Sequence, residues 1–224
     1  MPIYCDEHCF FVERFQMDDL RPYVVLGVGL LCWCTLHSLL ITTTLTSSLA
    51  DKWPSAFRYY RLFYNTFSIV SLLPVGLLYL SVKTGEESLY TWTMPMELIR
   101  YALLLVSLLL FIGGARVYDL KTFLGISQIR DGGQRLALSK DAFITRGVTR
   151  YVRHPWYLGG ILFVWSFPAT LSFSALLVAI ILTGYFLVGG WLEDRKLVVQ
   201  FGESYQEYMA HVPGIIPLSH HLKK

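Results

Sequence analysis

The side chains best suited to chemistry fall into two short groups, and the first is the run Arg153-His154-Pro155 followed by Tyr157 and Gly159. Proline is favoured in the first turn of a helix, so Arg153 and His154 should lie at a helix N-terminus. Free N–H groups and the helix dipole favour an anion at such a place. An aromatic ring and a glycine one turn further allow a flat ligand to approach closely.

The second group begins with the acidic pair Glu193-Asp194 and continues to Tyr205 and Tyr208. A carboxylate can accept hydrogen bonds from hydroxyl or ammonium groups, and it can offset a positive charge. The two groups together therefore suit a ligand that carries an anionic group beside cationic and hydroxyl groups.

The elements that position these residues are those of a membrane protein. Of the 224 residues, 54% are hydrophobic and only 16% are charged. A membrane span needs roughly 20 mostly apolar residues. Four such stretches occur, and they run over 22–50, 62–82, 94–116 and 155–192. The last is too long for one helix, and its Pro168 and the serines up to Ser174 predict a turn, so it is interpreted as a hairpin of two spans.

The sequence thus predicts an all-α polytopic integral membrane protein with about five transmembrane helices. Of its 19 Lys and Arg residues, 15 fall on one side of these spans and 4 on the other. The positive-inside rule then places the N-terminal segment 1–21 outside. Three spans follow over 22–117, then a cytoplasmic loop over 118–154, the hairpin over 155–192 and a cytoplasmic segment over 193–224. The membrane is a plasma (inner) membrane or an endomembrane.

The two groups resemble a known signature. Arg153-His154-Pro155-Trp156-Tyr157-Leu158-Gly159 is similar to the R-H-P-x-Y-x-G motif of the isoprenylcysteine carboxyl methyltransferase and phospholipid methyltransferase superfamily. Its second half, E-E-x-x-L followed by F-G-x-x-Y-x-x-Y and V-P, resembles the run from Glu193 through Phe201-Gly202 to Val212-Pro213. The one departure is Asp194, which stands where the motif has a second Glu.

The resemblance implies a cytoplasmic pocket for S-adenosylmethionine, formed by the last hairpin and the C-terminal segment. The residues that it assigns to cofactor binding are Arg153, His154, Pro155, Tyr157, Gly159, Glu193, Tyr205 and Tyr208. We expect that replacing Glu193 or His154 weakens cofactor binding and leaves the stability of the empty protein nearly unchanged. No Gly-rich fingerprint follows a strand, which excludes the soluble Rossmann-like methyltransferase architecture.

The N-terminal half is similar to the nurim-like and NnrU-like branch, which includes methanethiol S-methyltransferases. The resemblance rests on short runs at His37-Ser38, Tyr60 to Asn65, Tyr118 to Leu120 and Leu124 to Gln128. Polar groups within a span are costly and tend to face a cavity or a partner. The candidate catalytic residues at an acceptor pocket are therefore His37, Arg61, Tyr118 and Gln128. The alternative, for His37 and Asn65, is hydrogen bonding between helices that fixes the bundle.

The leading function hypothesis is S-methylation of a small or lipophilic thiol. A thiol must react as the thiolate, which cationic groups favour. Alternatives are carboxyl methylation of an isoprenylcysteine, N-methylation of a phospholipid, and a non-enzymatic NnrU-like or nurim-like membrane protein. The expected partners are the lipid bilayer and the methyl acceptor, while the oligomeric state stays open.

Metal and nucleic-acid binding are not expected. Methyl transfer from a sulfonium needs no metal, and Cys5, His8 and Cys9 lack an evident fourth ligand, so an interfacial N-terminal segment is preferred there. The net charge of +3 is explained by the cytoplasmic loops rather than by a nucleic-acid surface.

Overall fold

A computed structural model describes residues 17–118, 120–130 and 146–216, and these parts are almost entirely helical. The helices are α1 Met17–Leu40, α2 Thr43–Lys52, α3 Pro54–Phe57, α4 Tyr60–Lys83, α5 Met96–Val117, α6 Leu120–Leu124, α7 Ile126–Arg130, α8 Pro155–Ser166, α9 Phe173–Phe201 and α10 Glu203–His211. A 3-10 helix spans Gly147–Arg150, and the short strands β1 Tyr90–Thr91 and β2 Thr170–Leu171 pair antiparallel. The Cys5, His8 and Cys9 segment, Asp119 and Pro217 lie outside the described residues.

Within the described residues, four helices are long and apolar enough to cross a membrane, which confirms the all-α polytopic class. They cover Leu20–Leu40, Tyr60–Lys83, Met96–Val117 and Phe173–Phe201. The prediction of about five spanning helices is not met by α8, because its 12 residues rise only about 18 Å against a hydrocarbon core of roughly 30 Å.

The predicted hairpin is nevertheless present, since α8 ends before the turn and α9 begins at Phe173. Helix α8 runs antiparallel to α5. Trp156 at its start packs against Gly114, and the carbonyl of Ser166 at its end accepts a hydrogen bond from Arg100 Nη1. The segment from α8 to β2 therefore travels nearly the whole length of α5, although only part of it is helical.

The first apolar stretch, 22–50, is divided between two helices. Helix α1 ends at Leu40, and the backbone at Thr42 is extended with ψ 143°. The Leu39 carbonyl accepts from both the hydroxyl and the backbone N–H of Thr42, at 2.8 and 3.2 Å, so one threonine satisfies this acceptor where the helix stops. A separate helix, α2, follows and buries none of its residues.

Helices α1 and α9 lie parallel, and α4 lies antiparallel to α1. The rings of Tyr23 and Phe173 meet 4.8 Å apart near the start of both parallel helices, and His37 meets Tyr185 further along. The Trp33 indole donates to the Ser68 carbonyl of α4 at 3.1 Å. One end of the bundle, here called the site end, therefore collects the C-terminal ends of α1, α5 and α9 and the N-terminal ends of α4 and α8.

Small residues let α8 approach its neighbours, as the sequence predicts for Gly159. The Ser107 hydroxyl of α5 donates to the Gly159 carbonyl at 2.8 Å. A Cβ atom on Gly160 would lie 2.7 Å from the Phe186 ring of α9. Close backbone approach of this kind is typical of packed membrane helices.

The opposite end of the bundle is held by Glu86, in the connection between α4 and β1. Its carboxylate accepts hydrogen bonds from the backbone N–H of Ser174 at 2.9 Å and from the Ser174 hydroxyl. Ser172 caps α9 by accepting from the Ala175 N–H at 3.3 Å. These contacts fix the turn of the hairpin and so set where α8 and α9 reach the site end.

Candidate functional site

The two polar groups of the sequence meet at the site end of the bundle. The backbone N–H of Arg153 donates to the Pro213 carbonyl at 2.9 Å, and that of His154 donates to the Gly214 carbonyl at 3.1 Å. Pro155 occupies the first turn of α8, as predicted from its preference for that position. The segment after α10 is thus paired, residue by residue, with the chain that enters α8.

Asp194 lies at the centre of this arrangement and accepts hydrogen bonds from three side chains. The Arg153 guanidinium donates from Nε to Oδ1 at 3.2 Å and from Nη2 to Oδ2 at 2.6 Å. His154 Nε2 lies 2.8 Å from Oδ1, and the Tyr205 hydroxyl donates to the same oxygen at 2.6 Å. We call Asp194, Arg153, His154 and Tyr205 the Asp194 cluster.

The Asp194 cluster is largely closed to solvent. The side chains of Arg153 and Asp194 are only 10% and 13% exposed, and that of His154 is 4% exposed. Burial and the hydrogen bond to Asp194 raise the pKa of the Tyr205 hydroxyl, which keeps it protonated and therefore a donor. A buried charge pair needs this kind of complete hydrogen bonding to be tolerated.

The remaining donors of Arg153 tie down the end of α10. Its Nη1 donates to the Met209 carbonyl at 3.3 Å and also to the Val212 carbonyl. All three guanidinium nitrogens are therefore engaged within the protein. The Tyr208 hydroxyl donates to the Thr149 carbonyl of the 3-10 helix, which fastens α10 from its other side. Arg153 and Tyr208 thus build the wall of the site, and ligand contact by these two side chains stays a prediction.

Glu193 takes a different direction from its neighbour. Its side chain is 37% exposed, and its carboxylate lies 3.6 Å from His154 Nδ1, a longer contact than any in the Asp194 cluster. The Tyr157 hydroxyl is a donor to Glu193. Burial, and then the charge of Glu193, raise the pKa of Tyr118. Glu193 is therefore a partly accessible carboxylate with two tyrosine hydroxyls close by.

The Tyr157 ring stacks on two other rings, one at the start of α8 and one on α9. Its ring stacks on His154 with centroids 5.4 Å apart and on Phe186 of α9 at 5.9 Å. A Cβ atom on Gly189 would lie 3.7 Å from the Tyr157 hydroxyl, and one on Gly190 would lie 2.9 Å from Ile215 Cδ1. Gly189 and Gly190 thus make room beside the acidic pair.

Trp156 points to the other side of α8. Its indole N–H donates to the Phe111 carbonyl of α5 at 3.0 Å, and its ring lies 4.9 Å from Tyr118 and 5.0 Å from Phe123. A Cβ atom on Gly114 would lie 2.4 Å from Trp156 Nε1. Trp156 therefore anchors α8 to α5 and α6.

Of the four candidate acceptor residues, His37 contacts two tyrosine hydroxyls. Its Nδ1 lies 2.7 Å from the Tyr185 hydroxyl of α9, and its Nε2 lies 2.8 Å from the Tyr64 hydroxyl of α4. Arg61 lies one turn before Tyr64 and interacts with it electrostatically. The structure thus brings His37 and Arg61 to the same tyrosine.

The other two candidates lie on the far side of the site end. Tyr118, at the end of α5, interacts with Glu193. Gln128 of α7 donates from Nε2 to the Thr122 carbonyl at 2.9 Å, while its buried Oε1 has no hydrogen-bond partner among the described residues. Asn65 donates to the Phe123 carbonyl at 3.0 Å, so the alternative of interhelical bonding holds for Asn65.

Four residues that matter here were not identified from the sequence, namely Tyr64, Tyr185, Gly189 and Gly190. Asp194 was named in the acidic pair and as a departure from the resembled motif, but it was given no role of its own. The two glycines carry a signal, because they come one helical turn before the acidic pair in an otherwise bulky apolar run. In the parts of the chain that the structure describes, no three His, Cys, Asp or Glu residues group as metal ligands.

Three comparisons with known proteins bear on this site. A family model described as NnrU protein matches residues 25–208. A methanethiol S-methyltransferase of Pseudomonas sp. is 36% identical over 93 residues, which cover 42% of this chain and 35% of the relative. Methanethiol S-methyltransferase 2 of Bradyrhizobium diazoefficiens is 39% identical over 80 residues, or 36% of this chain and 30% of the relative.

A protein-S-isoprenylcysteine O-methyltransferase of Schizosaccharomyces pombe is 37% identical over 79 residues, which cover 34% of this chain and 33% of the relative. The matched segments thus span about a third of the length of these curated relatives. No solved structure matches the chain. The family model covers most of the chain and confirms the resemblance to the NnrU-like branch, so the chain belongs to the NnrU family.

Proposed function

We propose that this protein is an integral-membrane methyltransferase that uses S-adenosylmethionine to methylate a small or lipophilic thiol. The observation that carries the proposal is the difference between the two residues of the acidic pair. Asp194 is hydrogen-bonded to Arg153, His154 and Tyr205, while Glu193 remains 37% exposed beside Tyr157. A closed structural cluster next to one accessible carboxylate is the arrangement expected of a ligand site.

The residues present fit a cofactor with a positive charge. S-adenosylmethionine supplies a methyl group on a sulfonium that is already activated for transfer. The Glu193 carboxylate can accept hydrogen bonds from ammonium or ribose hydroxyl groups, or it can offset the positive charge. Tyr157 offers a flat ring, and Gly159, Gly189 and Gly190 allow close approach.

The remaining residues predicted to bind the cofactor hold together the helix ends around Glu193 and Tyr157. His154 and Arg153 hold the acidic helix end and the C-terminal segment together, and Pro155 starts α8 beside them. Tyr205 and Tyr208 fasten α10 over the same region. The protein's contribution to methyl transfer is positioning and exclusion of water, and these contacts provide a rigid frame for both.

The acceptor side is assigned to His37, Arg61, Tyr118 and Gln128. These residues offer an imidazole, a guanidinium, a hydroxyl and a buried amide oxygen around the same end of the bundle. A thiol acceptor is favoured by the methanethiol S-methyltransferase relatives. The isoprenylcysteine relative makes carboxyl methylation the second candidate, and a carboxylate acceptor would need no base.

We further propose that the site end faces the cytoplasm and that the N-terminus lies outside. Most Lys and Arg residues fall at the site end, and the positive-inside rule places such loops in the cytoplasm. Single cysteines introduced at Ser88 and at Glu203, in a Cys-free background, test this with an impermeant thiol reagent. Labelling of intact cells is expected at position 88 only, and labelling at 203 only would reverse the orientation.

Calorimetry on detergent-purified protein tests the cofactor. The wild-type protein and a Glu207→Gln control, which alters an exposed glutamate of α10, are expected to bind S-adenosylmethionine or its demethylated product. Glu193→Gln should weaken binding by roughly 10-fold or more, since hydrogen bonds to charged groups are worth about 1.5–3 kcal/mol. No binding by the wild-type protein at millimolar ligand would refute the proposal and favour a non-enzymatic membrane protein.

A further inference from the structure

A histidine lies between two tyrosines within the bundle, and the three residues belong to three different helices. His37 of α1 has the Tyr185 hydroxyl of α9 at 2.7 Å from Nδ1 and the Tyr64 hydroxyl of α4 at 2.8 Å from Nε2. The Trp33 ring lies 5.0 Å from the imidazole, so the surroundings are otherwise aromatic. Neither the Asp194 cluster nor the cofactor assignment uses these three side chains.

The titratable and polar groups around His37 come from every helix packed against it. From α1 these are Cys34, which interacts with Tyr185, and Ser38, whose hydroxyl lies 3.4 Å from the Tyr185 hydroxyl. From α4 and α9 they are Tyr64, Arg61 and Tyr185. No carboxylate among the described residues is hydrogen-bonded to His37, so an added proton on the ring would not be held there by a permanent counter-ion.

The geometry restricts how protons are arranged. A neutral imidazole carries one N–H donor and one acceptor nitrogen. The Tyr64 hydroxyl reaches both nitrogens of His37, at 2.8 Å from Nε2 and 3.2 Å from Nδ1, whereas the Tyr185 hydroxyl lies at Nδ1 alone. When Tyr185 donates to Nδ1, the Tyr185 oxygen accepts from the Ser38 hydroxyl at 3.4 Å and keeps a second lone pair that can accept a proton from a third group.

The third group can be an acceptor thiol that binds between Tyr185 and the residues assigned to the cofactor. Tyr185, Gly189 and Glu193 are spaced four residues apart and share one face of α9, which places Tyr185 about 12 Å from Glu193 along the axis. Tyr157 bridges this distance, because its hydroxyl lies over Gly189, donates to Glu193 and interacts with Tyr185. A thiol bound beside Tyr157 would therefore have Tyr185 and His37 on its side away from Glu193.

We propose that Tyr185 and His37 form a proton relay that ionises the acceptor thiol. The S–H proton moves to the Tyr185 oxygen as the Tyr185 proton moves to Nδ1 of His37. The imidazole becomes an imidazolium whose ring lies beside the Tyr64 hydroxyl. The electron pair left on sulfur forms the new S–CH₃ bond as the bond between the methyl group and the sulfonium breaks, and its electrons neutralise the sulfonium. The imidazolium then releases its proton to water.

This inference rests on the proposed function, and two thiols of different acidity separate the two ideas. Transfer of labelled methyl groups is measured at neutral pH with an aliphatic thiol, which is mostly protonated, and with an acidic aromatic thiol, which is mostly ionised in solution. Tyr185→Phe and His37→Gln should lower turnover of the aliphatic thiol by about 100-fold or more, the range of general-base catalysis. Turnover of the aromatic thiol should change by less than roughly 10-fold, because it needs no base.

A matched control is Tyr60→Phe. Tyr60 lies on the same helix as Tyr64, one turn earlier, and donates its hydroxyl to the Leu40 carbonyl rather than to His37. This control should keep the turnover of both thiols. Cofactor binding by calorimetry and the unfolding temperature are measured for every variant, and the near-isosteric Tyr185→Phe keeps the test valid if His37→Gln does not fold.

Selective loss of the aliphatic thiol, with cofactor binding intact, supports the relay. An equal loss for both thiols overturns it and assigns these residues to positioning of the acceptor. Unchanged turnover of both thiols in Tyr185→Phe also overturns it. If the wild-type protein methylates neither thiol but binds the cofactor, thiol S-methylation fails and the relay fails with it.

Discussion

Replacing Asp194 by Asn tests the Asp194 cluster, because it removes the charge while keeping nearly the same shape. Arg153, whose side chain is 10% exposed, would then be left as a buried cation without a carboxylate. Removing one partner of a buried ion pair costs about 3–5 kcal/mol. Because roughly 1 kcal/mol shifts the unfolding temperature of a domain of this size by 2–4 °C, the expected drop is about 6–20 °C.

The assay is thermal unfolding of detergent-purified protein in the absence of cofactor. The matched control is Glu193→Gln, since Glu193 is the adjacent carboxylate, is 37% exposed and makes only a 3.6 Å contact with His154. Partly exposed pairs contribute about 0–1 kcal/mol, so the control should move by at most a few degrees. Equal drops in unfolding temperature for the two variants, or a smaller drop for Asp194→Asn, would show that the Asp194 carboxylate does not stabilise the empty protein.

The same geometry changes what we expect of His154. The sequence predicts that His154→Ala weakens cofactor binding without affecting stability. Because His154 is 4% exposed and lies 2.8 Å from the Asp194 oxygen, its removal should also lower the unfolding temperature of the empty protein. For Glu193→Gln we still expect weaker cofactor binding and nearly unchanged stability of the empty protein.

Two further predictions concern the parts that position the site. Gly125→Ala should lower the free energy of unfolding by at least about 1–2 kcal/mol, because Gly125 has φ +89° and its Cβ would lie 2.7 Å from a backbone nitrogen of α4. Gly29→Ala, which meets open space in α1, should leave the unfolding temperature unchanged or raise it slightly, because alanine is favoured over glycine inside a helix. Burial raises the pKa of Glu86, but hydrogen bonds from the start of α9 outweigh this and leave the pKa below its usual range. Its stabilising contribution is therefore present above the ordinary pKa of a glutamate and lost as the pH falls through the lowered value. The unfolding temperature measured against pH should lose part of its acid dependence in Glu86→Gln and keep it in Glu87→Gln, and identical curves would contradict this.

The convergence of the two motifs could be predicted from the sequence because their residues are chemically distinctive and the apolar run between them can only be a hairpin. Arg153 and His154 meet the segment at Val212-Pro213 because α8 and α9 return the chain to the same end of the bundle. The orientation of each acid could not be predicted. The rotation of α9 and the length of each side chain decide whether Glu193 or Asp194 faces Arg153. The spacing of the motif residues determines neither the rotation nor the contact.

Helix ends were predicted less well than the apolar stretches themselves. Composition records how apolar a segment is, but not where the helix stops, as it does at Leu40, before the extended backbone of Thr42. Helix α8 was interpreted as a span because the apolar run 155–192 is too long for one helix, and the length of this run does not show how unequally it is divided between α8 and α9. The partners of His37 were also beyond reach, because Tyr64 and Tyr185 lie on helices that are distant in sequence and many tyrosines occur in this chain.

The most direct test of the proposed function is transfer of a labelled methyl group from S-adenosylmethionine to a small thiol by the purified protein. We expect thioether formation by the wild-type protein and by Glu207→Gln, with strongly reduced turnover in Glu193→Gln at a fixed, subsaturating cofactor concentration. Binding of the cofactor without transfer to thiols, prenylcysteine analogues or lipids would contradict the proposed activity.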